Sequence, residues 1–206
     1  GAEFTLLNNN FAETRKAITD ASIVREKDLV HVFFGSVDIQ NYTSQWCRLL
    51  LECCSELTLK VAVGQEFEYW DELTLLAENY GARMSIDRNI NNMALHMAPC
   101  SLAVGAPGTA TWERLCLEIP SLLWSTAENQ IDILKSLDSE GLLTYLGEAS
   151  AFDDKKFAEA VALLKNESFS VPSRYEIDGK GADRIVELIV EHNKVQGLLR
   201  QEQGLS

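Results

Sequence analysis

The sequence predicts one α/β domain built on a mostly parallel, Rossmann-like sheet with helices on both faces. Short apolar runs alternate with segments of helical periodicity along almost the whole chain. Glycine or serine follows several of these runs, at the points where a strand would turn into a helix. This alternation is typical of a parallel sheet covered by helices. At 206 residues and 23.0 kDa, residues 2–206 suit one such domain with a sizeable core.

The predicted strands are short apolar runs at 29–34, 58–63, 83–86, 102–104, 121–124 and 142–146. The predicted helices have apolar residues at helical spacing and cover 43–57, 67–80, 90–98, 109–117, 130–139, 152–164 and 182–199. Serines and a proline at 166–175 favour a loop. Ligands of parallel sheets bind beyond the carboxyl ends of the strands. We therefore expect Gly35, Gly64, Gly105 and Ser125 at one functional edge.

Residues 101–130 contain the strongest functional signal. An apolar run ends in the loop Gly105-Ala106-Pro107-Gly108-Thr109, and Glu113 lies one turn into the helix that follows. Glycines let the backbone approach a ligand closely, and free N–H groups at a helix N-terminus favour an anion such as a phosphate. A glutamate behind them can accept hydrogen bonds from two sugar hydroxyls. The segment therefore predicts a nucleotide-sugar site.

Five segments also share motifs with a known family. They read GSVDIQNYT at 35–43, GAPGTATWE at 105–113, PSL at 120–122, AENQ at 127–130 and DGKGADRI at 178–185. They resemble the motifs G-G-S-D-P-x-N-x-T, G-A-G-G-T-T-T-W-E, P-x-L, A-E-N-Q and D-G-x-G-A-x-R-I of the UDP-sugar hydrolases of bacterial pseudaminic-acid synthesis and their spore-coat-polysaccharide relatives. The resemblance runs from Ala2 to about Ile189 and implies the C-terminal half of a glycosyltransferase-B-type fold.

The resemblance implies that the ligand is UDP or a UDP-sugar. It implies a carboxylate of Glu113 that accepts from the two ribose hydroxyls, Gly108 and Thr109 facing the diphosphate, and a backbone at Ile90 that meets uracil. Asn129 and Gln130 would bind the sugar or the phosphates. The implied nucleotide-binding residues are Gly35, Ser36, Ile90, Gly105, Gly108, Thr109, Glu113, Asn129 and Gln130.

No catalytic residue is expected within this chain, because the resemblance places the catalytic histidine in an N-terminal partner domain. Residues 2–7 resemble the end of that domain, and Gly1 is interpreted as a tag remnant. We also expect Phe4, Leu6, Leu7 and Phe11 to pack beside the terminal helix at the junction with that domain, where apolar side chains would stay exposed in the isolated chain.

Three functions are compatible with these motifs. The first is the UDP-binding half of a hydrolase that acts on a deoxy-acetamido sugar nucleotide in bacterial surface-polysaccharide or nonulosonic-acid synthesis. The second is a UDP-sugar-dependent glycosyltransferase domain, with an acceptor hydroxyl in place of water. The third is a non-catalytic module that binds sugar nucleotides. The fold alone does not separate them, because the reaction depends on the site.

Several of the implied site residues have a structural interpretation as well. Glu113 also suits a first-turn acid stabilised by the helix dipole, and Asn129 also suits a helix N-cap. The loop at Ser36 also suits a plain turn between strand and helix, and Asp38 is interpreted as the cap of the helix that follows. Pro107 stands where the family has glycine and lacks an N–H donor.

Composition excludes several other classes. A net charge of −13 argues against binding to a nucleic-acid backbone, which needs clustered lysine and arginine. No apolar run approaches the ~20 residues of a membrane span, and no metal-ligand spacing or cofactor motif is present. The three histidines, His31, His96 and His192, are interpreted as structural or solvated. The five cysteines show no paired spacing and predict buried free thiols in a reducing cytoplasm.

Overall fold

The chain folds around a parallel sheet of six strands, which confirms the predicted α/β, Rossmann-like class. The computed structural model describes residues 2–151, 154–164 and 177–202. The strands are β1 (Glu26–Phe33), β2 (Thr58–Val63), β3 (Met84–Arg88), β4 (Cys100–Gly105), β5 (Ser121–Ser125) and β6 (Thr144–Glu148). Their order is β3-β2-β1-β4-β5-β6, and every pair of neighbours is parallel. The chain thus builds outward from β1 in one direction and from β4 in the other.

Helices cover both faces of this sheet. They are α1 (Asn9–Thr19), α2 (Tyr42–Cys53), α3 (Trp70–Tyr80), α4 (Met93–Met97), α5 (Thr109–Cys116), α6 (Ile131–Ser139), α7 (Asp154–Leu164) and α8 (Gly181–Glu202). Successive strand residues face opposite sides, so Leu122 and Trp124 join one core and Leu123 joins the other. The first core is completed by α2, α3 and α7, and the second by α1, α4, α5 and α6.

Most predicted elements are confirmed, with shifted ends. The helix predicted at 43–57 ends at Cys53, because Cys54 adopts extended backbone and Arg83 donates hydrogen bonds to the carbonyls of Leu51, Cys54 and Leu57. Cys53 is exposed, so the expectation that all five thiols are buried is wrong at this position. It occupies the last turn of α2, where adjacent residues face different directions.

Other boundaries differ for local reasons. The helix predicted at 67–80 begins at Trp70, and the strand predicted at 142–146 begins at Thr144. Of the helix predicted at 90–98, only α4 forms, because the Asn92 side chain caps it by accepting from the N–H of Leu95 at 3.0 Å. The predicted loop at 166–175 lies outside the described residues. Helix α1 was not predicted.

The C-terminal end of α5 is held by two arginines from distant parts of the chain. Arg15 of α1 donates to the carbonyl of Cys116 and pairs with Glu118 at 2.6 Å. Arg25 donates to the carbonyls of Leu117 and Glu118, the latter at 2.8 Å. Cations at the C-terminus of a helix satisfy its last carbonyls and oppose the negative end of its dipole. The direction of α5 is therefore fixed from this end.

The start of the chain and the start of α8 lie together, as expected. Arg184 forms two hydrogen bonds with Asp178, at 2.8 and 2.7 Å, and a third with the carbonyl of Glu3 at 2.9 Å. Gly181 lies so close to Thr5 that a Cβ there would overlap the Thr5 carbonyl oxygen. We call these contacts between residues 3–5 and 178–184 the terminal clasp.

The apolar residues around the terminal clasp divide into buried and exposed sets. Phe11 and Leu7 are 2% and 8% exposed and join the second core. Leu6 and four apolar residues of α8 stay exposed, namely Val186, Leu188, Ile189 and Val190. Apolar side chains near the terminal clasp therefore remain uncovered by the described residues.

Two histidines lie in contact inside the domain, away from the carboxyl ends of the strands. His31, in the middle of β1, is fully buried, and its ring packs edge-on against His96 of α4 with centroids 5.3 Å apart. Neither ring nitrogen of His31 has a hydrogen-bond partner, whereas Nε2 of His96 lies 3.2 Å from Asp87. Burial, together with the charges of Arg114 and Lys60, holds the pKa of His31 well below its ordinary value.

We expect Gly181→Ala to lower the free energy of unfolding by about 1–3 kcal/mol, because the new methyl group meets backbone that cannot move aside. Chemical denaturation measures the loss. Lys180→Ala changes the exposed side chain next to Gly181 and is the control. Equal stability of the two variants would contradict the close approach at the terminal clasp.

We expect the domain to lose stability as the pH falls below 6.5, the ordinary histidine value. The unfolded chain then binds protons that His31 and His96, both with lowered pKa, do not bind in the folded state. Each histidine contributes a loss of up to about 1.4 kcal/mol per pH unit.

The variant His31→Leu tests this expectation by urea denaturation at several pH values. It replaces a buried ring whose nitrogens have no hydrogen-bond partner by an apolar side chain of similar size. The free energy of unfolding at neutral pH is therefore kept, while its dependence on pH below 6.5 becomes weaker. His192→Gln, at an exposed position of α8, is the control and should keep the wild-type slope. An unchanged slope in His31→Leu would assign the acid sensitivity to other groups.

Candidate functional site

The candidate site lies where the direction of chain progression across the sheet reverses. Strands β1 and β4 are neighbours, but the chain leaves β1 towards β2 and leaves β4 towards β5. The two following loops therefore diverge and leave a crevice, the place where open parallel sheets bind ligands. Gly35 follows β1 and Gly105 ends β4, so the structure brings together the two glycine loops singled out from the sequence.

The loop after β4 leads into a helix end with unpaired donors. Gly108, with φ +127°, precedes α5, and no side chain caps the helix. The first N–H groups of a helix lack the usual intrahelical partners. In α5 the N–H of Thr111 donates to the Gly108 carbonyl at 3.0 Å, which leaves the N–H groups of Gly108, Thr109 and Ala110 as donors for a ligand. Gly108 and Thr109 are both exposed, and Pro107 before them has no N–H to offer. This end of α5 is suited to hold an anion.

The loop after β1 is built differently. The Asp38 carboxylate accepts from the N–H groups of Tyr42 and Thr43, at 3.1 and 2.7 Å, and Asn41 accepts from that of Ser44 at 3.4 Å. Asp38 is thus a cap of α2, as predicted. Because its donors are satisfied by a carboxylate of the protein, the N-terminus of α2 is closed to a second anion.

Gly35 and Ser36 form the wall of the crevice opposite α5. The Ser36 carbonyl accepts from the N–H of Gly64 at 3.0 Å, and a Cβ on Gly64 would lie 2.5 Å from that oxygen. This contact fixes the loop against the loop that follows β2. The exposed Ser36 side chain remains free to point a hydroxyl towards a ligand.

Glu113 is the titratable group nearest to this helix end in sequence. It is half-buried in the second turn of α5, and its carboxylate forms no hydrogen bond or salt bridge with any residue that the structure describes. Burial raises the pKa of Glu113, and the neighbouring Arg114 partly offsets that rise. The first turn of α5 contains no acid, so the interpretation of Glu113 as a first-turn dipole acid is wrong.

Arg114 connects the segments that follow β1 and β4 through its buried side chain. Its guanidinium is fully buried and donates from Nη1 to the carbonyl of Ala106 at 2.9 Å and from Nη2 to the carbonyl of Phe33 at 3.0 Å. Only glycine fits at 105, because a Cβ there would overlap the Phe33 carbonyl oxygen and lie 2.9 Å from Nη2. Sequence reasoning missed Arg114. The available signal was a cation within the largely apolar face of a predicted helix.

Asn129 and Gln130 lie after β5, on the side of β4 away from β1. The Gln130 side-chain oxygen accepts from the N–H groups of Thr126 and Ala127, at 2.8 and 3.3 Å. Asn129 is exposed within a 3₁₀ turn, and α6 begins only at Ile131, so its interpretation as a helix N-cap is wrong. Gln130 organises this loop, and only its amide NH₂ is left for a ligand.

Ile90 occupies the loop after β3, at the same edge of the sheet but towards its far end. Strands β2 and β1 stand between β3 and β4, which separates Ile90 from α5 by roughly 14 Å at ~4.8 Å per strand. Its side chain is half-buried. Of the implied site residues, Ile90 lies farthest along the sheet from the crevice.

Within residues 2–151, 154–164 and 177–202, no group of histidine, cysteine, aspartate and glutamate side chains is arranged to hold a metal ion. None of the described helices is both long and apolar enough to cross a membrane.

No protein-family model matches the chain. An uncharacterized protein of Methanocaldococcus jannaschii is 31% identical over 122 residues. The match covers 58% of this chain and 25% of that protein, so the aligned segment is about a quarter of the relative's length.

Several solved structures resemble the chain in three dimensions. MurG of Acinetobacter baumannii matches 88% of this chain and 53% of its own, with a TM-score of 0.60 and 15% identity. A putative UDP-N-acetylglucosamine 2-epimerase of Listeria monocytogenes matches 91% and 52%, with a TM-score of 0.58 and 15% identity. The spinosyn rhamnosyltransferase SpnG, complexed with thymidine diphosphate, matches 80% and 43%, with a TM-score of 0.55 and 19% identity. The chain therefore has an α/β Rossmann-like fold that corresponds to about half of each of these glycosyltransferase-B-like enzymes.

Proposed function

We propose that this chain is the nucleotide-binding domain of an enzyme that acts on a UDP-sugar. The observation that carries the proposal is the spacing of two features on α5. The uncapped N-terminus at Thr109 and the unpartnered carboxylate of Glu113 are four residues apart, so they lie on one face of the helix and about 6 Å apart along its axis. A nucleoside diphosphate presents its diphosphate and its ribose hydroxyls at a comparable separation.

The N-terminus and the second turn of α5 would each meet one part of the ligand. The N–H groups of Gly108 and Thr109 and the Thr109 hydroxyl donate to the diphosphate, and Glu113 accepts from the two ribose hydroxyls. Gly105 allows the loop to run close to the phosphates, and Gly35 and Ser36 border them from the β1 side. Asn129 and Gln130 approach from the β5 side towards the sugar or the phosphates. The loop at Ile90 lies in the direction of the base.

The structural neighbours support the ligand class. SpnG was solved with thymidine diphosphate, a pyrimidine nucleoside diphosphate, and two other neighbours are UDP-N-acetylglucosamine 2-epimerases. The net charge of −13 does not oppose such a ligand, because backbone dipoles at one helix end act locally.

For the reaction, we propose hydrolysis of a UDP-linked deoxy-acetamido sugar in bacterial surface-polysaccharide or nonulosonic-acid synthesis. The support is the motif resemblance to the pseudaminic-acid-pathway hydrolases. Water attacks the sugar carbon, the bond from that carbon to the diphosphate breaks, and UDP leaves. The end of α5 stabilises charge on the departing diphosphate. Activation of the water falls to an N-terminal partner domain, with residues 2–206 as one binding domain.

A UDP-sugar glycosyltransferase is the second candidate. The observation that favours it is the likeness to a rhamnosyltransferase. The two candidates share the nucleotide site and differ only in what attacks the sugar, water or an acceptor hydroxyl.

We expect the chain to bind UDP and Glu113→Gln to weaken that binding by about 1–3 kcal/mol, through the loss of charge-assisted hydrogen bonds. The thermal midpoint should not fall, because Glu113 has no hydrogen-bond partner within the described chain to lose. Isothermal titration calorimetry and thermal denaturation provide the two measurements. Glu78→Gln, at an exposed position of α3, is the matched control. Normal UDP binding by a destabilised Glu113→Gln would make Glu113 a structural residue.

We expect the advantage of the wild type over Glu113→Gln in UDP binding to shrink as the pH is lowered from neutral towards 4.5, the ordinary glutamate value. Burial raises the pKa of Glu113, so its carboxylate becomes protonated at a higher pH than an exposed glutamate and loses an acceptor. The ratio of the two affinities cancels the titration of UDP itself. A ratio independent of pH would contradict an ionised Glu113 at the ribose.

A further inference from the structure

We propose that Arg114 is the positioning residue of the diphosphate site: it sets the separation between the loops after β1 and β4 and so aims the free N–H groups of α5, without touching the ligand. The inference rests on the proposed function. To that function the inference adds Arg114, a residue that lies outside the family motifs and contacts only the protein side of the crevice.

The Arg114 side chain links the ends of the neighbouring strands β1 and β4 by hydrogen bonds. Two nitrogens of one planar guanidinium bind two carbonyls, of Phe33 at the end of β1 and of Ala106 just after β4. The N–H of Ala106 also donates to the Phe33 carbonyl, at 3.1 Å. Because the guanidinium fork is rigid, its two hydrogen bonds fix the relative position of the two chain segments. Gly108 and Thr109, which are proposed to face the phosphates, follow Ala106 after a single residue, Pro107.

No ion pair among the described residues neutralises the charge of Arg114. Its side chain is fully buried and forms no salt bridge with a carboxylate among the described residues. Burial lowers the pKa of Arg114 to about 10, which still leaves it protonated at neutral pH. A buried cation held only by neutral carbonyls is costly, and a residue needed only for packing would be better apolar.

The positive charge of Arg114, which has no salt-bridge partner among the described residues, adds to the positive end of the α5 dipole. A diphosphate at that end is the anion that would offset both. Glu113, the adjacent residue, shifts the pKa of Arg114 upward through its charge, but its own carboxylate remains unpaired. The site thus combines a fixed backbone, a buried cation and an open helix end.

The test compares Arg114→Lys and Arg114→Met with Arg15→Met by titrating each isotope-labelled protein with UDP and with uridine in NMR experiments. Lysine keeps the charge but cannot bridge two carbonyls, and methionine removes both features. Arg15 binds the carbonyl of Cys116 at the opposite end of the same helix, so its loss controls for general effects on α5.

We expect both Arg114 variants to bind UDP at least tenfold more weakly than the wild type and to keep the wild-type affinity for uridine, which Glu113 still holds. Arg15→Met should keep the affinity for UDP. Amide hydrogen exchange at Ala106 should be faster in Arg114→Lys than in the wild type, which shows the loosened loop directly. This exchange measurement on Arg114→Lys also decides the matter if Arg114→Met does not fold.

Two results would overturn the inference alone. One is a folded Arg114→Lys that binds UDP within twofold of the wild type with unchanged exchange at Ala106. The other is an equal proportional loss of UDP and uridine binding, which would mean that Arg114 only supports the fold. A wild-type chain that binds no UDP would instead overturn the proposed function, and this inference with it.

Discussion

The bridge from the Arg114 guanidinium to the carbonyls of Phe33 and Ala106 is the interaction on which the centre of this domain depends. It joins β1 to β4, the two strands from which the rest of the sheet is built outward. Residue 105 must also be glycine, because a Cβ there would overlap the Phe33 carbonyl oxygen and lie 2.9 Å from Nη2 of Arg114. With Arg15 and Arg25 fixing the other end of α5, the helix is held at its middle and its C-terminus. Its N-terminus is left with no side-chain cap.

The two helices that follow β1 and β4 show how equivalent positions in a fold acquire different chemistry. Both begin after a glycine loop at the same edge of the sheet. In α2 a carboxylate of the protein, Asp38, occupies the N–H groups of the first turn. In α5 the corresponding groups are free, and the nearest carboxylate, Glu113, lies one turn further on and has no hydrogen-bond partner in the described chain. An anion therefore has one suitable helix end at this crevice, and it is that of α5.

Sequence reasoning succeeded where local pattern and topology determine the outcome. Strands buried on both faces, such as β4 and β5, appear as continuous apolar runs, and parallel topology then places the residues after them at one edge. The spacing of Thr109 and Glu113 needs only the helical repeat. The cap at Asp38 was predictable because a short acid just before a helix competes for its first N–H groups.

Contacts between distant residues were not accessible in this way. Nothing local to Arg114 indicates that its partners lie at Phe33 and Ala106, and Arg15 meets Cys116 across 101 positions of sequence. The N-cap interpretation of Asn129 was wrong for a smaller reason: a 3₁₀ turn precedes α6, which moves the helix start beyond Asn129. The family motifs predicted neither the sugar nor the reaction, because they describe the loops at the sheet edge and not the groups that would contact the sugar.

The terminal clasp has a mechanical consequence. Residues 3–5 and the first turn of α8 are bound to each other by Arg184, Asp178 and the close approach at Gly181, so the chain enters and leaves the globular body at a single point. Any segment attached through residue 2 or through α8 would therefore pivot about that one hinge, and its motion would leave the sheet undistorted. Force applied to either end would be borne first by one bidentate ion pair and one glycine, before it reached β1.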